Sequence, residues 1–140
     1  MNTHQILEQA IAMISRMMGE LEAEAFEQEG FSDLSMRQMI YLDAITQLKR
    51  PTFSELADKL AITKPSVTAI VKKLTEMGYV KKVQSNEDLR IYHIVLTPKG
   101  EHFTEMHDKT HQMLASRLTQ NLEGAEVEQL AVLLKKIMVG

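Results

Sequence analysis

Residues 52–100 read TFSELADKLAITKPSVTAIVKKLTEMGYVKKVQSNEDLRIYHIVLTPKG, and the fold follows from how this stretch is parsed. Thr52 and Glu55 have the S/T-x-x-E spacing of a capping box, in which two backbone donors of a helix start are satisfied reciprocally. Phe53, Leu56, Ala57 and Leu60 then share one helical face. Ala61 and Ile62 make a short turn, Thr63 is suited to a second N-cap, and Pro65 falls inside the first turn, where a missing N–H costs little. Val67, Ile70, Val71 and Leu74 give this second helix its buried stripe, and Gly78 ends it, because glycine takes the left-handed conformation a helix end often needs.

The period then changes. Tyr79–Val83 and Ile91–Leu96 are β-rich runs flanking the polar tip Gln84–Arg90. Thr97-Pro98 has the form of an N-cap and first helical residue. Two short helices, a tight turn and a hairpin make a winged helix-turn-helix, whose helix over 63–77 is the one expected to enter a major groove.

The same residues resemble the MarR family of bacterial transcriptional regulators. The resemblance is carried by Ser54-Glu55-Leu56-Ala57, by Ser66 to Leu74, and by Gly78-Tyr79-Val80. The wing residues Asp88-Leu89-Arg90 and the run Leu96-Thr97-Pro98-Lys99-Gly100 complete it. It covers about half the chain closely. It implies a dimer held by terminal helices, and wing contacts shaped by Asp88 and carried by Arg90. Leu89 stands where the family usually has a basic residue, so one positive charge is missing from this wing.

The rest of the chain frames this segment. Residues 3–29 read as one long helix with a broad apolar face from Ile6 to Ala25, ended at Gly30. Residues 35–48 form a second, capped by Ser35, with Met36, Met39, Ile40 and Ile45 expected inward; Lys49-Arg50-Pro51 stops it. After the wing, helices are expected over 98–121 and 125–138, separated by Glu123-Gly124. The expected fold is mainly α with a small β-hairpin wing: a winged helix-turn-helix flanked by N- and C-terminal dimerisation helices. The expected organisation is a single domain over 1–140, with 1–33 and 101–140 as dimerisation helices and 34–100 as the DNA-binding lobe. The terminal helices carry more apolar surface than one small winged lobe can cover, so a homodimer is expected.

Net charge is −3, yet its distribution favours a polyanion partner. Residues 1–33 hold one Arg against seven acids, residues 34–100 eleven Lys and Arg against six acids, and residues 101–140 four against six. A basic middle between acidic ends suits a module that reads double-stranded DNA. Cysteine is absent, which excludes disulfides and thiol chemistry. No apolar run has the roughly 20 residues needed to span a bilayer, and no charged stretch precedes an apolar one as in a signal peptide. A cytoplasmic protein without membrane contact is the expectation.

The candidate DNA-binding residues are Thr63, Lys64, Ser66, Thr68, Lys72, Lys73, Lys81, Asp88 and Arg90. Ser66 and Thr68 are short hydroxyl residues near a helix start, suited to base edges or phosphate. Lys72 and Lys73 suit phosphate, since an ammonium lacks the fork that matches guanine. Arg90 on a narrow hairpin suits the minor groove, Asp88 is placed to orient it, and Lys81, with Lys82, adds charge on the first wing strand. Val67 is expected to pack inward.

His107 and His111 lie four apart on one helix face. A stable zinc site needs further ligands, and Ile40 occupies the position where the resemblance to zinc-sensing MarR-like repressors calls for another His. No metal site and no cofactor is assigned. A looser likeness to MarR-type repressors of fatty-acid synthesis rests on this pair with Asp33-Leu34-Ser35, and implies an acyl-chain effector. Met13, Met17, Met36, Met39 and Met106, with His107 and His111, are the candidate lining of an effector pocket, because methionine suits varied apolar ligands; an ordinary core would use it equally well.

The function expected is a sequence-specific regulator, a ligand-responsive repressor that binds an inverted repeat as a homodimer. The alternative is a winged-helix module for docking proteins, which would have no need of a basic wing or of Lys72-Lys73. An enzyme is not expected: no nucleophile–base pair, phosphate loop or complete metal set can be assembled from these residues.

Overall fold

The computed structural model describes residues 1–140 and contains six helices and one hairpin: α1 (Thr3–Glu29), α2 (Met36–Leu48), α3 (Phe53–Leu60), α4 (Lys64–Glu76), β1 (Val80–Gln84), β2 (Tyr92–Leu96), α5 (Pro98–Thr119) and α6 (Gly124–Val139). The helix boundaries follow local chemistry. Ser35 and Thr52 each form a capping box, with Gln38 and Glu55 respectively, and Thr63 caps α4 by accepting from the Ser66 N–H at 3.3 Å. Gly30 and Gly78 follow α1 and α4 with φ of +81° and +88°, the left-handed region that favours glycine. Between α3 and α4 the left-handed position is held by Ala61, φ +55°.

Several boundaries differ from expectation. Each strand begins one residue later, because Tyr79 and Ile91 lie outside the antiparallel register that runs from Val80↔Leu96 to Gln84↔Tyr92. α5 ends at Thr119, and Gly124 opens α6 instead of breaking the chain, since Glu123 supplies the cap.

The chain divides into two compact units, Met1–Glu22 with Lys109–Gly140, and Ala23–Asp108; α1 and α5 each run from one into the other. The second unit holds the main core: Leu42, Ile45, Leu56, Val67, Val71, Leu74, Tyr79, Val80 and Ile94 from the winged lobe. Phe26, Phe31 and Phe103 join it through an aromatic cluster, with Phe31 edge-on to Phe103 at 5.6 Å and Tyr79 edge-on to Phe103 at 6.5 Å. The end of α1 and the start of α5 therefore belong to this core. Met39 and Met106 pack in or against it, but Met36 and Ile40 do not turn inward as expected: they are 75% and 56% exposed. They share the outer face of α2 with Asp43 and Gln47, while Leu42 and Ile45 point the other way.

The hairpin is bound to the helical part by more than its own ladder. Pro51 carbonyl accepts from the Ile94 N–H at 2.8 Å, and Thr52 forms an isolated bridge to His93, so the α2–α3 loop is tied to β2. His93 Nδ1 donates to the Arg50 carbonyl at 2.8 Å, since a carbonyl can only accept. Thr97 closes the other end: its N–H reaches the Tyr79 carbonyl at 3.0 Å and its hydroxyl donates to the Gly78 carbonyl. These bonds fix the wing relative to α4.

In the first unit Leu21, Thr110 and Leu114 are buried. Ile6, Leu7 and Ile11 of α1 are exposed, and α6 has no buried residue at all, with Leu133 at 50% and Ile137 at 73% exposure.

Candidate nucleic-acid interface

The geometry of α4 is set by its buried stripe. Val67, Val71 and Leu74 are at most 1% exposed. At 100° per residue the opposite face is then Pro65, Ala69, Lys72, Lys73 and Glu76, with Ser66 at its edge, and all six are exposed. This face carries small side chains toward the helix start, then two lysines, and ends on the acidic Glu76. Lys64 and Thr68 lie on the flank, where they line a cleft with the cap residue Thr52, with Phe53 and Ser54 of α3 and with Lys82, Arg90 and Tyr92 of the hairpin.

The hydroxyls are partly committed. Thr63 and Ser66 share a hydrogen bond between their oxygens at 2.9 Å, in addition to the cap. Thr68 donates to the Lys64 carbonyl at 3.1 Å, which leaves its oxygen as an acceptor and its methyl for apolar contact.

The wing is built on Asp88. Its carboxylate accepts from the Arg90 backbone N–H at 3.0 Å, from Nε at 3.1 Å and, through the second oxygen, from Nη2 at 3.1 Å. This is the bidentate match of guanidinium to carboxylate. It holds the Asp88 carboxyl below the usual carboxylate range, chiefly through the Arg90 side chain and then its backbone N–H. The Arg90 side chain is still 90% exposed, so the rest of its fork faces outward.

The two wing lysines part company. Side chains alternate along a strand; Lys82, paired with buried Ile94, enters the cleft beside Thr68 and Arg90, and Lys81, paired with Val95, lies on the other face of the hairpin. Lys82 Nζ sits 5.5 Å from the centre of the Tyr92 ring, a cation–π contact that restrains it. The sequence puts Lys81 among the candidate residues with Lys82 beside it, and does not point to Ser54 or Tyr92. Cross-strand register is the signal that separates the two lysines. Lys73 and Ser66 are exposed on α4, away from the cleft.

The residues expected around an effector are divided between the units. Met13, Met17 and His111 belong to the first, and Met36, Met39, Met106 and His107 to the second. Met106 is core, and His107 stacks on Phe103 at 5.8 Å and 21°.

The interface as a whole is a helix whose outer face is small and polar, with Lys72 and Lys73 before a terminal Glu76, a basic cleft beside it and a guanidinium on a hydrogen-bonded hairpin. Such a set can neutralise phosphates and reach base edges. No helix is long and apolar enough to cross a membrane.

Comparison with known proteins agrees with this geometry. Residues 34–92 match the model of the MarR family. The HTH-type transcriptional regulator PapX of Escherichia coli is 33% identical over 85 residues, covering 61% of this chain and 52% of PapX. The chain thus spans about half the length of PapX, and the same holds for the similar regulator PrsX. The HTH-type transcriptional regulator TcaR of Staphylococcus aureus is 28% identical over 140 residues, covering 95% of this chain and 87% of TcaR. Among solved structures, Streptococcus pneumoniae FabT in complex with DNA has the same fold, with a TM-score of 0.72 at 24% identity over 96% of this chain and 94% of that one.

Proposed function

We propose, from the match of residues 34–92 to the MarR family model, that the chain is a MarR-family, sequence-specific regulator of transcription that binds double-stranded DNA as a homodimer. One observation carries the reading: the exposed face of α4, with Ala69, Lys72 and Lys73, stands opposite a fully buried stripe, and its flank, with Lys64 and Thr68, lines one cleft with Arg90. A helix packed this firmly presents its outer face as a rigid probe for a major groove, and the wing reaches the neighbouring minor groove. The solved FabT complex with DNA supports the reading by likeness of fold.

The homodimer rests on the first unit. A 16-residue helix, α6, with no buried side chain but with Leu133, Leu134 and Ile137 exposed needs a covering surface, as do Ile6, Leu7 and Ile11. A two-fold pair of lobes presents two α4 helices to half-sites about one DNA turn apart, so the operator is an inverted repeat. The protein is read as a repressor acting in the cytoplasm, with no reaction of its own. A small apolar effector is read as releasing the operator by favouring another spacing of the two α4 helices.

Selection from random duplex DNA tests the proposal. A roughly palindromic site should be enriched, with affinity falling steeply with salt, about −0.9 in log–log slope per phosphate neutralised. Failure to enrich any site, with only weak binding lost at modest salt, would overturn it.

A further inference from the structure

The outermost apolar residue of the wing has no structural task. Leu89 is 67% exposed at the hairpin tip, between Asp88 and Arg90. Its backbone is pinned: Gln84 Nε2 donates to the Leu89 carbonyl at 2.8 Å, the Ser85 N–H to the Ile91 carbonyl at 2.8 Å, and the Ile91 N–H to the Asp88 carbonyl at 3.0 Å. Ser85 Oγ accepts from the Glu87 N–H at 3.2 Å and the Asp88 N–H at 3.4 Å. The tip is a closed network of hydrogen bonds that holds one aliphatic side chain out in water.

Charge does not explain how this tip would approach DNA. Arg90 is matched by Asp88, and Glu87 is exposed beside them, so the tip carries no net positive charge. What it offers is a rigid apolar wedge next to a guanidinium. Resting on the DNA-binding reading above, we infer that Leu89 is a specificity-determining residue, whose side chain enters the minor groove beside Arg90 and selects A·T over G·C pairs there. The physical reason is a single atom group. In the minor groove G·C differs from A·T by the guanine 2-amino donor. Leucine offers that donor no partner, and burying it unpaired is costly. Over A·T pairs the groove floor lacks the amino group, is narrow, and attracts Arg90.

The test uses the intact protein and its selected operator, with the base pairs under the wing made A·T, G·C or inosine·C. Inosine·C keeps the major-groove pattern of G·C but lacks the 2-amino group. The parent should bind A·T and inosine·C alike and G·C roughly tenfold more weakly. Leu89→Ala should lose roughly five- to tenfold on the A·T operator and bring the A·T to G·C ratio close to one. Leu89→Lys should recover affinity with a salt slope steeper by about 0.9, without recovering the ratio. Inosine·C behaving as G·C, or Leu89→Ala keeping the parent's affinity and ratio, would overturn the inference. Continued loss of binding in Arg90→Ala would then leave the regulator reading standing. A parent that prefers no sequence at all would overturn both.

Discussion

Asp88 grips Arg90 at three points, the backbone N–H at 3.0 Å and the guanidinium Nε and Nη2 at 3.1 Å each, so that the wing's one arginine is aimed by its neighbour two residues back. The grip needs an ionised carboxylate. Asp88 is held below the usual carboxylate range by these bonds, so the order they give the tip is complete above the ordinary aspartate value near 3.9 and is lost only as pH falls through the lower, folded-state value. Wing geometry should therefore be constant from pH 5 to 8. A carbon-detected NMR titration should place the Asp88 midpoint below that of an unpaired aspartate; a midpoint at or above the ordinary value would remove the grip from the account.

Lys72 and Arg90 should fail differently. Lys72 is exposed on the outer face of α4 and suits phosphate, so Lys72→Ala should weaken all duplexes by a similar factor and reduce the salt slope by about 0.9. Arg90→Ala should lower operator affinity more, by about 1–3 kcal/mol, and relax preference at the base pairs beneath the wing. Competition binding against operator and scrambled duplex separates the two effects.

Tyr79 joins the lobe's core to its rim. Its ring is fully buried, and its hydroxyl donates to Asp33 Oδ1 at 2.8 Å. Burial first, and the Asp33 carboxylate second, push the phenol well above its ordinary value. A phenol so raised contributes stability that is present below about pH 10 and lost as pH climbs through the folded-state value. Tyr79→Phe should cost about 1 kcal/mol in chemical denaturation at pH 7 and should delete the latest step in an absorbance titration of the tyrosines. An unchanged titration would mean that another group accounts for that step.

Gly100 lies against the Tyr79 carbonyl with no room for a Cβ, and the Leu96 side chain closes the remaining space at 3.1 Å. Alanine is ordinarily the better helix former by about 1 kcal/mol. Here the obstacle is backbone, which cannot rotate aside, so Gly100→Ala should destabilise by about 1–3 kcal/mol net. Thermal unfolding reads this directly; a raised midpoint would contradict the packing.

What the sequence determined by itself was much of what short-range chemistry governs, although Glu123-Gly124 reads as a break where the Glu123 cap starts α6 at Gly124. The capping box at Thr52, the caps at Ser35 and Thr63, the stop at Gly78 and the inward Val67, Val71 and Leu74 are read from local patterns and stand in the structure as read; Ile70, expected in the same stripe, is partly buried. The resemblance carried by Asp88, Arg90 and Gly100 was legible for the same reason. Tertiary structure decided what depends on partners distant in the chain. An apolar residue near a helix start can face either way, and only the packing of Leu42 and Ile45 turned Met36 and Ile40 outward. Two adjacent lysines are equivalent in a string, but the register Lys82↔Ile94 sends Lys82 into the cleft and Lys81 to the far face. The hold of Arg50 and Pro51 on His93 and Ile94 spans some forty residues and leaves no local pattern. Local rules choose the elements, because caps and helix periods act within a turn or two. Which flank of each element becomes a site is chosen by the close packing of surfaces that meet only once the chain has folded.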